Sequence, residues 1–570
     1  MKPIFRIALV ATLALSASMA MAIPFDNSAG GTATAVIASP SGGDYTDLEA
    51  ASIAFNAVAG GINRPWILEI QDEAGDNIYF QPNNVAFGNT FGPGASLTIR
   101  PAAGATPTIE FTSTANATGW FGHLLIGCTI AGQTGTPDNT NSFSSNGNYI
   151  IDGSNDGSGS RDLTLQGGVT NGNLASLMNR LIRITGNSDG VIVRNCVLRF
   201  NDTAGSNAPI ALAGGSVSGV DAVPDNVIIE NNLIVNSTGA GNPFGLETTV
   251  AATAPGATAG TAIQGLIYRN NDVQIRQRGV FLNGVGSHQI HDNVFTMNGH
   301  PSGGFTNAGY FHFTSNSAPG WTAEIYNNDW IIQSQLTAVT AGQGSYGIFI
   351  DGGPLDGTYE IYNNVFREIS FPNMTAPTDV AVIGIRTGSL DSDYIIEHNS
   401  INIGANANVT SATDGNVAAI RTPLALTTGT IAIRNNIIRM AYAGGGTTAA
   451  INHWTTAAGI TSTSNNLVAL GNTLVGRVAG VDSANLAAWQ TAGYDTVASG
   501  GQSVDPFGTS PGSWFADLRF SFLPSQLGTV PASVYLTDID GDARPAAGAL
   551  PGADENTSLP TAVQAWGSYL

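Results

Sequence analysis

Apolar and polar positions alternate in short segments along most of the chain, and each segment runs into asparagine. In VIVRNCVL, Val191, Val193 and Val197 alternate with polar neighbours, and Asn195 interrupts the pattern. β-Branched residues dominate these segments, glycine and asparagine separate them, and no helical period persists. The pattern therefore predicts short strands joined by tight turns.

The segment that ends in asparagine recurs along more than half of the chain. It occurs at Asn195, Asn232, Asn271, Asn293, Asn328, Asn364, Asn399, Asn436 and Asn466. Successive copies lie 22 to 39 residues apart, and most spacings are close to 36 residues. Such a period with scatter predicts one structural unit repeated with loops of variable length.

A second motif lies between the asparagine segments. Glycine or alanine is followed by an apolar, a variable and another apolar residue at Gly279, Gly347, Gly384, Ala419 and Ala450. Each repeat therefore holds two short strands, and the residues after each asparagine supply a third. Three strands per repeat, stacked repeat upon repeat, predict an all-β parallel β-helix of about twelve rungs.

The corner asparagine has two expected roles in such a coil. Asparagine tolerates the left-handed conformation of a tight turn, and its amide can bond to the asparagine of the next rung. The amides then satisfy polar groups that would otherwise be buried unpaired. We expect Asn232, Asn271, Asn328, Asn364 and Asn436 to stack along one corner.

The N-terminus predicts export. Lys2 and Arg6 precede an apolar run that ends in Ala20-Met21-Ala22, which is typical of a secretory signal peptide over residues 1–22. Later segments contain no apolar run of membrane-spanning length. We expect an N-terminal cap over 23–60, the coil with its closing segment over 61–555, a tail over 556–570, and a secreted or cell-surface location.

The charge of the chain narrows the range of expected partners, and its cysteine content limits the possible disulfides. The formal net charge is −21, and Lys2 is the only lysine. An acidic chain repels nucleic acid and anionic membranes, so neither is an expected partner. The two cysteines, Cys128 and Cys196, either form one disulfide or are free and buried.

Both ends of the predicted coil resemble a known superfamily. GGDYTDLEAAS at 42–52 resembles the N-terminal cap of secreted right-handed parallel β-helix proteins of the pectate-lyase-like type, with Thr46 and Glu49 at capping-box spacing. The other end resembles the closing segment of bacterial surface β-helix proteins, a D-x-D-G-x-x-R stretch and a later G-A-x-E. The matching residues are Asp538, Asp540, Gly541, Arg544, Gly552, Ala553 and Glu555. Before that segment, 482–490 predicts a short capped helix beside the last rungs.

The resemblance implies a right-handed coil whose outer face carries any active site. The N-T-D, D-D, G-H-G and R-I-K strings of polygalacturonase-type hydrolases do not occur in this chain. Alternation in the second motif places its variable residue outside the coil. The predicted outward residues are Glu247, Phe281, His312, Phe349, Arg386 and Arg421, with Asp351 in the next outward column.

These residues suggest a site for an acidic sugar. A phenyl ring covers the apolar face of a sugar, and guanidinium pairs with carboxylate or sulfate. The hypothesis assigns Arg386, Asp351 and His312 to catalysis of a polysaccharide-lyase-like kind. It assigns binding to Phe349, Arg421, Phe281 and Glu247. The alternative is that polar pairs across rungs only pin the sheet.

Two further questions stay open from the sequence. Asp538, Asp540 and Asp542 place three carboxylates within five residues, which suits calcium or an ordinary Asp-rich turn. The chain either binds or processes extracellular acidic polysaccharide, or is a non-catalytic structural or adhesive surface protein that contacts cell-surface components and self-associates.

Overall fold

A computed structural model gives the fold. It describes residues 25–112 (except 28–29, 39–41, 74 and 76), 122–127, 147–167, 180–200 (except 187), 206–213, 223–236, 242–249, 262–298, 307–314, 319–333, 344–351, 356–370, 379–385, 391–403, 416–422, 426–441 (except 427), 448–453, 459–505, 529–545 (except 532) and 549–553. The predicted signal peptide, Cys128, Arg386, Glu555 and the predicted tail lie outside these residues.

The strands form three sheets. Sheet 1 holds Ala33–Ile37, Pro65–Ile70, Ser96–Pro101, Tyr149–Asp152, Ile192–Arg194, Ile228–Glu230, Leu266–Arg269, His288–His291, Trp321–Tyr326, Gly357–Tyr362, Asp393–Glu397, Ile431–Arg434 and Ile460–Thr463. Sheet 2 holds Ile78–Gln81, Thr108–Phe111, Leu163–Gly167, Cys196–Phe200, Leu233–Asn236, Asp272–Ile275, Val294–Met297, Asp329–Gln333, Val365–Ser370, Ser400–Ile403, Ile437–Met440 and Asn466–Ala469. Sheet 3 holds Val85–Phe87, Leu124–Ile126, Arg180–Thr185, Ser206–Ala213, Asn242–Thr249, Arg278–Asn283, Asn307–Thr314, Gly344–Ile350, Asp379–Ile385, Asn416–Thr422, Thr448–His453, Leu474–Val478 and Val481–Ser483.

The chain visits sheets 1, 2 and 3 in turn, and each strand pairs in parallel with the strand one rung away. The exception among the described strands is the last one, Val481–Ser483, which pairs antiparallel with Leu474–Val478. The fold is a right-handed parallel β-helix, as the sequence predicts. Apolar side chains from all three sheets fill the coil as one continuous core.

The corner between sheets 1 and 2 divides the two expected roles between consecutive residues. The first corner residue adopts the left-handed conformation, with φ of 52° at Asn231, 54° at Asn327 and 54° at Asn363. The next residue is fully buried and points its amide along the coil axis. One asparagine therefore makes the turn, and its neighbour makes the contact between rungs.

The buried residues form an amide ladder. Each Nδ2 donates to the Oδ1 of the next rung over 2.9–3.1 Å. The ladder consists of Asn232, Asn271, Asn293, Asn328, Asn364, Asn399, Asn436 and Asn465, so the predicted stack is confirmed. Asn465 donates to Asp495, which ends the ladder as an acceptor.

Two assignments of the asparagine repeat are corrected by this ladder. Asn195 makes the turn with φ of 57°, and Cys196 occupies the ladder position in that rung. Asn466 follows the ladder residue Asn465 and instead bonds to Val504. In both rungs the asparagine that stands out in the sequence lies one residue from the ladder position.

The glycines of the second motif leave room for aromatic rings. A Cβ at Gly279 would lie 2.8 Å from the ring of Phe295, and one at Gly309, which stands beside Gly279 in the next rung, would lie 2.4 Å from the ring of Trp330. These rings stack in sheet 2, with centroids 4.2 Å apart. The motif is therefore a packing feature, because a side chain at these positions would overfill the core.

Short helices lie near the two ends of the coil. Helix α1, Leu48–Asn56, buries Phe55 against the first rungs, and Asp47 caps it by accepting from the Ala50 N–H. The cap is therefore Asp47 and not Thr46, whose hydroxyl instead donates to Asp47. Helix α2, Leu486–Thr491, begins at its cap Asn485 and buries Trp489, so the predicted second helix is confirmed.

The described parts of the closing segment, 529–531, 533–545 and 549–553, lie along the side of the coil. Tyr535 stacks on Tyr362 with centroids 3.8 Å apart, and the N–H of Gly552 donates to Asn435. Leu550 and Ala553 pack with Val365 and Ile437 of sheet 2. These contacts place the segment along the corner of sheets 1 and 2, over rungs that precede the end of the coil.

Candidate functional site

The outer face of sheet 3 holds the candidate site. The register aligns Glu247, Phe281, Phe311, Phe349, Gly384, Arg421 and Asn452 on successive rungs. Of the predicted outward residues, Glu247, Phe281, Phe349 and Arg421 belong to this column. His312 and Arg386 do not.

His312 points into the coil, so its predicted place on the outer face is wrong. Its side chain is fully buried; Nε2 contacts the Val285 carbonyl at 3.0 Å, and Nδ1 contacts the Tyr359 hydroxyl at 2.8 Å. Gly309 stands beside Gly279 in the next rung, so the motif of this strand is Gly309–His312, with Phe311 as its variable residue. A histidine in the core cannot reach a polysaccharide outside the coil.

The sequence pattern placed Arg386 in this column, but the strand register places Gly384 there. Gly384 pairs with Phe349 on one side and with Arg421 on the other, so Gly384 occupies the variable position. Val382 takes the place that glycine holds in the preceding rungs. Arg386 lies outside the described residues, and its catalytic assignment stays a prediction.

An aromatic cluster surrounds Arg278 on this face. The outer aromatic cluster consists of Phe244, Phe281, Phe311, Tyr346 and Phe349. The guanidinium carbon of Arg278 lies 4.7–5.2 Å from three of its ring centroids, within cation–π range. Burial lowers the pKa of Arg278 to about 10. Phe349 is only 2% exposed, so its ring packs within the protein.

Three other predicted residues differ in burial and in their contacts. Glu247 is 5% exposed and forms an ion pair with Arg180, which is itself buried. Asp351 is half-buried directly after strand Gly344–Ile350, and its N–H donates to the His312 carbonyl. Arg421 is half-buried on the outer face, two rungs from Phe349.

Phe313 is an exposed aromatic residue that the sequence reasoning missed. It is 40% exposed, and its ring centroid lies 6.5 Å from Phe281 and 6.1 Å from Phe311. Reading FHF with Phe311 and Phe313 outward, and the central histidine inward, would have found it. Arg278 and Tyr346 were also missed, because each stands directly before a motif glycine.

The aspartates of the closing segment form a turn. Asp538 is fully buried, and its Oδ1 accepts the N–H groups of Asp540 at 3.0 Å and Asp542 at 2.9 Å. Among the described residues, no group of three or more His, Cys, Asp or Glu side chains is placed to hold a metal ion. The assignment of calcium to these three residues stays a prediction.

Cys196 is a free, fully buried thiol in the core. Its Sγ donates to the Arg194 carbonyl at 3.1 Å, and burial raises its pKa well above the ordinary value. Of the two readings left open by the sequence, the structure shows the free and buried one for Cys196. A neutral thiol in this environment is unreactive.

No family model, curated protein or solved structure matches this chain. Within the part of the chain that the structure describes, none of the helices has the length and apolar character needed to cross a membrane.

Proposed function

We propose that this protein is a secreted β-helix that binds an acidic extracellular polysaccharide along the outer face of sheet 3. Catalytic members of the pectate-lyase-like superfamily, which the chain resembles, use the outer face of the coil. The observation that carries the proposal is the exposed ring of Phe313 on the same face as Arg421.

The two residues suit the two parts of an acidic sugar. The ring of Phe313 offers an apolar surface for a sugar face, and the guanidinium of Arg421 offers paired donors for a carboxylate or sulfate. Their rungs are three strand spacings apart, which is about 14 Å along the coil. A chain of sugar units can lie along this path, across the successive strands of sheet 3.

Binding without turnover fits the face better than lysis. His312 is inside the coil, and the carboxylate of Glu247 is held by Arg180. Asp351 is the predicted catalytic residue that remains on the described outer face. Arginine is a reluctant base because its pKa is far above neutral.

A structural or adhesive role is the second candidate. The outer face of sheet 1 carries ion pairs from rung to rung, with Arg194 bonded to Asp152 at 2.8 Å and Arg269 bonded to Glu230 at 2.6 Å. Together with the amide ladder, these pairs favour a stiff coil. In that role the outer face of sheet 3 would have no glycan ligand.

Glycan-array binding of the mature chain tests the proposal. We expect binding to polyuronates or sulfated glycans, and Arg421→Ala should weaken it roughly 10- to 150-fold, the loss of one charge-assisted hydrogen bond. Phe313→Ala should also weaken binding. Release of ultraviolet-absorbing unsaturated ends would show that the protein is a lyase.

Two matched changes on sheet 2 serve as controls. Phe80, which is 55% exposed, and the exposed Arg199 lie on a different face, so Phe80→Ala and Arg199→Ala should leave binding unchanged. Equal binding by the parent, Phe313→Ala and Arg421→Ala would contradict the proposal and favour the structural role.

A further inference from the structure

The closing segment is attached to the coil through Arg544. Its Nη2 donates to Asn363 Oδ1 at 2.8 Å, and Asn363 Nδ2 donates in return to the Thr537 carbonyl at 2.8 Å. The same guanidinium nitrogen also donates to the carbonyls of Gly552 and Ala553, at 3.0 and 3.2 Å. Arg544 therefore joins two described stretches of the segment, 533–545 and 549–553, to one corner of the coil.

The backbone of the last stretch provides a second attachment. The N–H of Gly552 donates to the Asn435 carbonyl at 2.8 Å, and the N–H of Ala553 donates to Ser400 Oγ at 3.0 Å. These bonds are not part of the parallel pairing of the described strands, because the segment lies on the side of the coil. The segment is therefore able to leave while every described rung keeps its strand pairing.

His398 lies beneath the docked segment. It is a left-handed corner residue, with φ of 54°, and it is fully buried. From the closing segment, Arg544 and the backbone of Gly552 and Leu550 face its imidazole. Asn270, the corner residue of a rung away from these contacts, is exposed. The docked segment therefore covers His398.

The charged groups around His398 disfavour an imidazolium. Glu397 Oε1 lies 3.5 Å from His398 Nε2, but this carboxylate is already engaged. It accepts from Arg434 Nε and from Asn435 Nδ2, each at 2.8 Å. Burial, together with the positive charges of Arg544 and Arg434, lowers the pKa of His398 to about 2, and the facing backbone offsets only part of this shift. The docked state therefore holds His398 neutral.

We propose that the closing segment is an acid-released strap, which docks over neutral His398 and leaves the coil as a unit when His398 is protonated. In the released state the imidazole regains the ordinary pKa of about 6.5, so the released state takes up the proton first. The ratio of docked to released protein therefore falls about tenfold per pH unit from about pH 6.5 downwards. Openings in a solenoid are local, so the rungs stay paired when the strap leaves.

Release uncovers an apolar surface on the outer face of sheet 2. Val365 is 8% exposed and Ile437 is fully buried while Leu550 and Ala553 pack on them. The acid form of the protein therefore presents an apolar contact surface that the neutral form conceals. This surface is separate from the outer face of sheet 3, so the strap does not depend on glycan binding there.

Hydrogen exchange measured by mass spectrometry on the full mature chain, from neutral to mildly acidic pH, tests the strap. The reporter amides are those of Gly552 and Ala553, which donate to the coil. Their rates are corrected for the intrinsic pH dependence of amide exchange. We expect their protection to fall about tenfold per pH unit below about pH 6.5, while strands Asp393–Glu397 and Ile431–Arg434 stay protected.

Three variants assign the effect. His398→Asn removes the titrating group and keeps a residue type that tolerates the left-handed conformation, so the protection of the reporter amides should become independent of pH. Arg544→Ala deletes the contact to Asn363 and should leave the reporter amides unprotected at every pH. His291→Gln is the matched control, because His291 lies on sheet 1 away from the segment, and it should keep the slope of the parent.

Three results overturn the proposal. Protection that does not change with pH in the parent would mean that His398 is not linked to docking. The slope of the parent in His398→Asn would assign the acid effect to carboxylates such as Glu397 or Glu360, which accepts from the Tyr535 hydroxyl at 3.2 Å. Loss of protection in the segment and in the coil strands at the same pH would show that the segment does not leave as a unit.

Discussion

The amide ladder and the outer face of sheet 3 belong to the same rungs but follow different rules. In the ladder, one residue type occupies eight successive positions from Asn232 to Asn465, and each amide bonds to the next. On the outer face, Glu247, Phe281, Gly384 and Arg421 share one column without any common chemistry. The ladder repeats one residue type because each rung has buried polar groups that must be paired, whereas the residue type on the outer face varies from rung to rung.

The difference follows from what each position must satisfy. Buried backbone and amide groups are costly when unpaired, so a ladder position tolerates few residue types. An outward position faces solvent or other side chains, and several chemistries suit it. We therefore expect changes inside the coil to act on folding, and changes outside it to act mainly on binding.

Acid should destabilise the protein through its buried histidines, and this is the largest effect that we expect. Burial lowers the pKa of His288 and His123 to about 4 and that of His453 to about 3. The unfolded chain then binds these protons first, so the free energy of unfolding falls as the pH drops from about 6.5 towards 4. The expected slope is roughly 1.4 kcal/mol per pH unit for each histidine.

Chemical denaturation across this pH range measures the slope. His288→Gln removes one titrating imidazole, so its free energy of unfolding should fall less steeply with acid than that of the parent. A variant with the same slope as the parent would show that His288 does not contribute to acid sensitivity. The comparison uses slopes, so a lower stability of the variant at neutral pH does not affect it.

The same substitution at two asparagines compares the regions directly. Asn364→Leu breaks the ladder, because the Nδ2 of Asn328 loses its Oδ1 acceptor and the Oδ1 of Asn399 loses its side-chain donor, so we expect a loss of about 2–3 kcal/mol. Asn452→Leu changes a residue of the outer column that is only 5% exposed but belongs to no amide ladder, so it should cost less than Asn364→Leu. Thermal and denaturant melts measure both losses, and equal losses would refute the distinction.

The fold could be predicted because its requirements recur in every rung. The asparagine spacing and the β-branched alternation predicted a parallel coil. The predicted corner is confirmed by hydrogen bonds from Asn232 to Asn271, from Asn271 to Asn293 and from Asn293 to Asn328. The assignments that failed, Asn195 and Asn466, lie one residue from the ladder. Two adjacent corner residues have different roles, and a single sequence does not separate them where both are polar.

The outer face was harder to predict because its register depends on the interior. The glycine at Gly309 faces Trp330 of another sheet, and Val382 replaces glycine in a later rung, so the motif does not begin at a constant residue type. His312 was placed by reading Phe-His-Phe without Gly309, and Gly384, the glycine from which Arg386 was counted, itself occupies the column. Glu247, Phe281, Phe349 and Arg421 were placed correctly, since their strands follow the motif without such a replacement.

The smallest expected effect concerns the outer aromatic cluster, where the outer face is packed like the interior. Arg278→Met keeps a long side chain among the rings but removes the charge, so the cation–π attraction to Phe244, Phe281 and Phe311 is lost. We expect a loss of about 1 kcal/mol that high salt does not abolish, because the rings enclose the cation. The control Arg199→Met, at an exposed position on sheet 2, should change stability by less than about 0.5 kcal/mol. Denaturant melts at low and high salt measure both variants. A gain in stability in Arg278→Met would mean that the cost of burying the guanidinium, which lowers its pKa to about 10, exceeds the attraction of the rings.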